Sequence, residues 1–364
     1  MRWLNRLTVL LDDLLVKIYS DPQEKKRKRY LQPLFVLRRA FLFLRQGLTF
    51  QIFEISGKAR EGGYDYKVIY FSEGKGMQFL ISKMFENENA NCRMIGKARF
   101  WELKRATARY ENHCDMVIVE QNTLLHWRPA NGSWASSPTW VRMVLDLDLE
   151  YPWEKVEHSF RKHERNIRRM KRSGYRYEIS RDPADFDFFY ENMYVPTIHG
   201  RHAGYGLVDT KSHLFSLFQQ GFLLFIVNEQ GNRVAADMAA IYGDVYFGVV
   251  SGILNNDEAL LENGVTSALY YYAIQWCHEN KIRRCDIGEA RPFEYDGLYQ
   301  YKRRWGYRPV LELWNTREWV FWNPRQSAAA CEWLLANPTL SEFSQYSGQI
   351  PNTANVLKSP SAGA

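Results

Sequence analysis

The sequence predicts a mixed α/β protein with two lobes, and three observations support this fold class. The chain has 364 residues, which exceeds the length that usually folds around a single hydrophobic core. Residues 222–251 contain three consecutive β-patterned runs joined by short turns, as in an antiparallel meander. A helix-patterned run from Gly264 and a β-patterned run at 282–287 follow, an order typical of a mixed sheet flanked by helices.

The N-terminal segment, residues 1–60, is strongly basic. It holds 13 Lys/Arg and 5 Asp/Glu, a net charge of +8 against +7 for the whole chain. Apolar residues recur at helical spacing over 1–20 but are interrupted by charges, so we expect an amphipathic helix that does not span a bilayer. The run at 25–29 (KKRKR) suits a phosphate-rich partner or an anionic membrane, and equally a solvated linker. The start lacks a signal peptide pattern, so we expect a cytoplasmic protein with peripheral membrane contact through this segment.

Residues 61–148 are predicted to form a small α/β lobe. Strands are expected at 64–71, 116–119 and 141–147, and helices at 76–86 and 99–110. A turn-rich stretch at 131–138 marks a loop. The boundary of this lobe is therefore placed at residue 148.

Residues 149–323 are predicted to form the larger domain. A basic helix at 153–172 ends at Ser173-Gly174, where glycine commonly closes a helix. A strand at 175–180 and a helix at 183–194 precede the meander, and a short helix at 299–304 and a strand pair over 307–321 end the domain. Residues 324–364 are expected to contain one helix and a disordered tail.

Metal and thiol chemistry are not indicated by the sequence. The five cysteines form no C-x-x-C pair, so neither a zinc site nor a disulfide framework is predicted. His199 and His202 flank Gly200-Arg201 in a loop that would supply a base near neutral pH, although such histidines are more often without chemistry.

Three stretches of the larger domain resemble the GNAT-type acyltransferases of the FemAB-like group. Residues 161–174 (RKHERNIRRMKRSG) resemble the family's basic helix, residues 285–292 (CDIGEARP) its strand end, and residues 296–306 (DGLYQYKRRWG) its following helix. The resemblance implies a GNAT-like twisted mixed sheet flanked by helices, with residues 61–148 as a smaller, degenerate GNAT-like first lobe.

The resemblance also implies a function. Members of this group transfer acyl groups from acyl-CoA, or amino acids from aminoacyl-tRNA, to sugar-containing or cell-envelope precursors. We therefore expect acyl transfer to an amine or hydroxyl of a sugar-containing or lipid-linked small molecule in polysaccharide biosynthesis. The donor would be acyl-CoA, or alternatively aminoacyl-tRNA, which is the one nucleic acid expected as a partner. The competing hypothesis is a catalytically inactive GNAT-fold binding or scaffold protein.

Four residues are the catalytic candidates. Lys302 stands at the family's motif position and would stabilise the oxyanion of a tetrahedral intermediate. Asp286 and Glu289 lie at the end of a predicted central strand, where either would accept the nucleophile's proton; for Asp286 a structural role is the alternative. Tyr299, ahead of Tyr301, is the candidate acid toward the leaving group.

Phosphate and donor binding are expected from basic residues and from one loop. Arg165 and Arg168 of the basic helix, with Arg291 and Arg303, are the candidate phosphate ligands. Asn263, Gly264 and Val265 occupy the place of the pyrophosphate loop of acetyl-CoA-dependent GNAT enzymes. That loop here reads LLENGVT, with one glycine and an acidic Glu262, which would oppose an anion.

Overall fold

The computed structural model describes residues 49–72, 76–86, 90–160, 163–201, 208–311, 317–340 and 345–347. The predictions for residues 1–48 and for the tail from 348 lie outside this part of the chain. The described residues divide into two compact units. The first lobe comprises residues 49–141, 291–299 and those from 311 onward, and the second lobe comprises residues 142–290 and 300–310.

The described strands belong to two seven-stranded sheets. Helices connect many of the strands along the chain. The strands are β1 Thr49–Lys58, β2 Asp65–Ser72, β3 Asn91–Arg99, β4 Met116–Asn122, β5 Ser133–Pro138, β6 Val141–Asp146, β7 Arg176–Ser180, β8 Gly221–Val227, β9 Arg233–Tyr242, β10 Val245–Ile253, β11 Arg284–Ala290, β12 Arg308–Val310, β13 Arg317–Asn323 and β14 Gln345–Ser347. The α-helices are α1 Met77–Met84, α2 Leu103–Ala108, α3 Trp153–His158, α4 Glu164–Arg172, α5 Pro183–Phe189, α6 Val195–Arg201, α7 Lys211–Phe218, α8 Glu258–Glu262, α9 Val265–Glu279, α10 Gly297–Arg304 and α11 Ala328–Ala336. The predicted mixed α/β class is confirmed.

The sheet of the first lobe has the strand order β14-β5-β13-β4-β2-β1-β3. β1 and β2 are antiparallel, whereas β2 and β4 are parallel. Every residue of β4 is buried, as expected for a strand with a hydrophobic cluster on each face of its sheet. One cluster packs beneath α1 and α11, and the other beneath α2.

The sheet of the second lobe has the order β12-β6-β11-β10-β9-β8-β7. β7 to β10 form an antiparallel meander, which contains the three strands expected at 222–251. The helix predicted at 183–194 is only partly α-helical. The chain forms a π-helix over Tyr190–Tyr194, between α5 and α6, which the sequence did not predict. Such π segments are rare and are often found at functional sites.

Two strands join a sheet other than the one suggested by their place in the chain. β6 directly follows the first lobe but pairs in the sheet of the second, whereas β13 follows the second lobe but pairs between β4 and β5 in the sheet of the first. The boundaries expected at 61–148 and 149–323 therefore differ from the two units. Periodicity locates a strand along the chain, but it does not identify the strand's partner.

β10 and β11 separate after a short parallel pairing. They pair only from Val245–Arg284 to Phe247–Asp286. The register of β10 against β9 shifts between Gly248 and Val250, which is the mark of a β-bulge. Bulges bend a strand and often occur beside active sites. The two strands therefore open a gap in the middle of the sheet.

Within the described residues, no helix combines the length and apolar character needed to cross a bilayer.

Candidate active site

A cavity of about 110 Å³ lies where β10 and β11 separate. β9 contributes Asp237 to its wall, and α9 contributes Tyr270. Gly248 to Ser251 of β10 and Ile287 of β11 complete the sides of the gap. The volume suits a small reacting group, such as an amine or hydroxyl with the carbon that carries it.

Asp237 is the acidic side chain of this cavity. It lies in a strand that is otherwise almost entirely apolar, and the hydroxyl of Tyr246 donates a hydrogen bond of 2.5 Å to its Oδ2. A side chain at Gly248 would place its Cβ 3.5 Å from the same oxygen, so glycine leaves room beside the carboxylate. Burial raises the pKa of Asp237 to about 7, although the Tyr246 hydrogen bond and the charge of Lys302 lower it. This carboxylate can therefore accept a proton near neutral pH.

The sequence reasoning did not find Asp237. The available signal was a single carboxylate in the middle of β9, whose neighbours Ala236, Met238 and Ala239 are all buried apolar residues. A carboxylate within an apolar strand is rarely found without a partner or a function, and this isolated charge was the signal that marked the position.

Lys302 is buried, with 4% of its surface exposed. Its Nζ donates hydrogen bonds of 2.9 Å to the carbonyl oxygens of Ile287 and Glu289. Burial lowers its pKa to about 8, against the opposing effect of nearby carboxylates that include Asp286 and Asp237. The lysine thus lies at the end of β11 beyond the last pair with β10, where it holds the backbone that borders the cavity.

The helix that carries Lys302, α10, is anchored by aromatic packing. Trp305 is fully buried and stacks on His163, with 4.3 Å between the ring centroids. Burial lowers the pKa of His163 to about 4, so the imidazole is neutral near pH 7. These contacts fix the position from which Lys302 reaches β11.

Asp286 is engaged by an arginine. Its two oxygens accept hydrogen bonds of 2.7 Å each from Nε and Nη2 of Arg142, and Oδ1 also accepts one of 2.9 Å from the N–H of Gly288. A bidentate pair of this kind ties β6 to β11 and favours the structural role. The side chain of Glu289 is exposed, while its carbonyl oxygen binds Lys302.

Two further candidates lie in the first lobe. The side chain of Tyr299 is buried, and its N–H donates to Oδ1 of Asp296 at 3.1 Å. The guanidinium of Arg291 stacks on Trp140, 3.4 Å from the ring centroid, and donates to the carbonyl oxygen of Thr139 at 3.0 Å. Stacking of this kind gives Arg291 a structural place in this lobe.

The candidate phosphate ligands of the second lobe have different surroundings. Arg165 and Arg168 are exposed on α4, and Arg168 forms an ion pair with Glu164 one turn away. Arg303 donates to the carbonyl oxygen of Tyr307 at 3.1 Å. Arg169, which was not a candidate, donates to the carbonyl oxygen of Glu262 at 2.8 Å.

The loop before α9 brings this arginine to a helix N-terminus. Gly264 has a φ of +85° and precedes the first residue of the helix, Val265. A Cβ at Gly264 would lie 3.6 Å from Cδ of Arg169, and the hydroxyl of Ser173 donates to the carbonyl oxygen of Asn263 at 3.3 Å. The guanidinium of Arg169 thus lies beside the N-terminus of α9, a 15-residue helix. The cation and the first N–H groups of the helix together favour binding of an anionic group.

Residues 157–303 match the family model described as acetyltransferase (GNAT) domain. This segment is a GNAT acyltransferase domain. It begins within α3, ends within α10, and includes all the residues that line the cavity. The predicted acyltransferase class is confirmed for this domain.

Solved structures show only distant similarity. The structure of L-PGS from Bacillus licheniformis is 13% identical, covers 78% of this chain and 88% of its own, and has a TM-score of 0.35. FemX is 11% identical over 73% of this chain and 83% of its own, with a TM-score of 0.38. A GCN5-related N-acetyltransferase from Sphaerobacter thermophilus is 13% identical, over 70% of this chain and 71% of its own, with a TM-score of 0.34. No curated protein sequence matches this chain.

Among the described residues, no group of three or more His, Cys, Asp or Glu side chains is arranged to hold a metal ion.

Proposed function

We propose that the GNAT domain transfers an acyl group to an amine or hydroxyl that enters the cavity between β10 and β11, with Asp237 as the general base. The single observation that supports this most directly is the position of Asp237 on the cavity, with a pKa raised to about 7 by burial. A base of this strength is partly ionised at neutral pH and still accepts a proton readily.

In the proposed reaction the acceptor nitrogen or oxygen attacks the acyl carbonyl carbon. Asp237 takes the proton that the nucleophile loses, and the carbonyl oxygen gains negative charge. Collapse of this intermediate breaks the bond to the leaving group, which is a thiolate for acyl-CoA or a ribose hydroxyl oxygen for aminoacyl-tRNA. A proton then returns to the leaving group from a tyrosine or from solvent; Tyr270 lines the cavity, and we rank it ahead of Tyr299 for this role.

The negative charge on the carbonyl oxygen would be stabilised at the open edge of β10. Beyond Phe247, β10 has no β-pairing with β11 in the described strands, and N–H groups on this side would be the donors to an oxyanion. Lys302 would contribute its positive charge and, by holding two carbonyl groups of β11, keep the strands apart. Its role is therefore partly electrostatic and partly positional.

The donor is proposed to carry phosphate. Arg169 and the N-terminus of α9, at Asn263, Gly264 and Val265, would bind it, because a guanidinium and oriented N–H groups both favour anions. Arg165, Arg168 and Arg303 are further proposed phosphate contacts of this lobe. Acyl-CoA and aminoacyl-tRNA both carry phosphate, so the site fits either donor.

The acceptor is proposed to be a sugar-containing or lipid-linked precursor of the cell envelope, as the FemAB-like resemblance implies. The small cavity admits the reacting group, and the rest of such an acceptor would remain outside it. An acceptor with an amine is favoured by a base of pKa about 7, since an ammonium group must lose a proton before it attacks.

The first experiment is a binding and turnover screen with the full chain. Acetyl-CoA, longer acyl-CoAs and charged tRNA are tested for an increase in melting temperature, because a ligand that binds the folded state stabilises it. The donor found in this way is incubated with amino sugars and nucleotide-linked sugars, and acylated products are detected by mass spectrometry. Formation of a product that is lost in Asp237→Asn supports the proposal.

The alternative is a catalytically inactive binding protein, which the acidic Glu262 beside the donor loop favours. The side chain of Glu262 is exposed, and its carbonyl oxygen accepts the hydrogen bond from Arg169. Binding of a donor without any turnover, at equal strength in the native chain and in Asp237→Asn, would support this alternative.

A further inference from the structure

A basic and aromatic surface occupies one side of the first lobe. It is formed by the end of β3, the 3₁₀ turn Phe100–Glu102 and α2, and we call it the α2 surface. Its exposed side chains are Lys97, Arg99, Trp101, Lys104, Arg105 and Arg109. These residues belong to neither the cavity nor the proposed donor site.

The orientation of α2 places its cations outward. Leu103, Ala106 and Thr107 are buried against the sheet, so the opposite side of the helix faces solvent. Arg105 and Arg109 are four residues apart on that side, where side chains lie one above the other. The helix therefore presents a convex row of positive charge and not a groove.

The charge of this surface is poorly compensated. Residues 97–109 contain five Lys/Arg and one Asp/Glu. The carboxylate of Glu102 accepts a hydrogen bond of 2.9 Å from the N–H of Arg99, which holds it at the start of the turn. Among the described residues, no carboxylate lies within ion-pair distance of Lys104, Arg105 or Arg109. An anionic partner would therefore meet these cations without displacing a salt bridge formed within the described part of the chain.

Trp101 projects from the same surface, with 58% of its surface exposed. Phe100 packs edge to face against it at 4.9 Å, and the guanidinium of Arg99 lies 5.2 Å from its ring centroid. Indole rings are enriched at the level of lipid headgroups, where an apolar ring and a polar N–H are both accommodated. Cations beside such a ring bind anionic lipid phosphates.

We propose that the α2 surface docks on an anionic lipid bilayer, with Trp101 entering the headgroup region and Lys104, Arg105 and Arg109 binding lipid phosphates. A bilayer is favoured over RNA for two reasons. Single-stranded nucleic acid is usually bound in a groove with open aromatic faces, whereas this surface is convex and Arg99 covers part of the indole. The inference does not depend on the proposed acyl transfer.

The test is co-sedimentation of the full chain with vesicles of two compositions. One is phosphatidylcholine alone, and the other contains one part phosphatidylglycerol to two parts phosphatidylcholine. The triple variant Lys104→Gln, Arg105→Gln, Arg109→Gln is compared with a control variant that removes the same charge elsewhere, Arg60→Gln, Lys281→Gln, Arg283→Gln, since these three residues are also exposed. Trp101→Ala tests the aromatic contact separately, and melting temperatures verify that all variants fold.

The expected result is selective binding to the anionic vesicles by the native chain. Each neutralised cation of the α2 surface weakens partitioning by about fivefold, roughly a hundredfold for the triple variant, at low ionic strength. The control variant loses less vesicle binding than the α2 triple variant. In Trp101→Ala, vesicles no longer cause a blue shift of tryptophan fluorescence.

Two outcomes overturn the proposal. Equal vesicle binding by the native chain and the α2 triple variant would place the membrane contact elsewhere, for instance in the basic segment 1–48. Unchanged vesicle binding together with loss of tRNA binding in the α2 variant would assign the surface to nucleic acid.

Discussion

Replacement of Asp237 by Asn is expected to reduce activity and to increase stability at the same time. The amide keeps the shape of the carboxyl group and can still accept the hydrogen bond from Tyr246, but it cannot take a proton. Loss of a general base usually slows a reaction by about 10²- to 10⁴-fold. The rate of the native protein should fall as the pH decreases below about 7, whereas the residual rate of the variant should not follow this titration.

The gain in stability follows from the raised pKa. An aspartate in the unfolded chain titrates near pH ~4, whereas the folded-state pKa of Asp237 is about 7. Below about pH 4 both states are protonated and burial of the charge costs nothing. As the pH rises from about 4 to 7 the unfolded state releases its proton first, so the free energy of unfolding decreases. The full cost above pH 7 is at most about 4 kcal/mol, from roughly three pKa units at 1.36 kcal/mol each.

Thermal unfolding across this pH range measures the effect without any substrate. The native chain and Asp237→Asn should have similar stability near pH 4, and the variant should be the more stable near pH 8. Asp187→Asn serves as the control, because Asp187 is largely exposed and should change the profile little. Parallel profiles for the native chain and Asp237→Asn would show that this carboxylate is not desolvated, and normal turnover by the variant would remove it from the mechanism.

Three further predictions concern the residues around the cavity and the donor site. Lys302→Met should lower the transfer rate by about a hundredfold or more, because it removes a charge near the oxyanion and the hydrogen bonds to two carbonyl groups; unchanged turnover of a folded variant would contradict this. Arg169→Gln should weaken donor binding about tenfold in titrations with little change in melting temperature, since a charge-assisted contact to phosphate is lost. Gly252→Ala should cost about 1–3 kcal/mol in denaturant unfolding, because its Cβ would lie 2.5 Å from the carbonyl carbon of Met193. Gly297→Ala is the control, since a Cβ there meets no atom within 4 Å.

Many local features of the fold could be predicted from the sequence because periodicity and turn residues carry them, but the turn-rich stretch at 131–138, expected to be a loop, contains β5. The meander, α9 and β11 all lie close to the predicted ranges. β3 was missed because most of its residues are exposed and because its alternation of polar and apolar side chains is interrupted at Ile95 and Gly96. The basic helix expected at 153–172 is divided into α3 and α4, a change that its charge pattern does not reveal.

The candidate site was predictable only where a motif marked it. Lys302 stood out through its place in the resemblance, and its environment depends on two carbonyl groups that no side-chain pattern encodes. Asp286 could not be distinguished from a base until its bidentate partner was known, because Arg142 lies 144 residues away in the chain. Asp237 was overlooked for a related reason, since the cavity beside it arises from the pairing of β10 and β11.

The exchange of β6 and β13 between the sheets restricts how this chain can be shortened or synthesised. A fragment that stops before residue 317 leaves β4 and β5 without the strand that pairs between them. During translation the sheet of the first lobe would therefore remain incomplete until β13 has left the ribosome. Expression of a fragment that stops before residue 317 is consequently expected to yield aggregation-prone material with open strand edges.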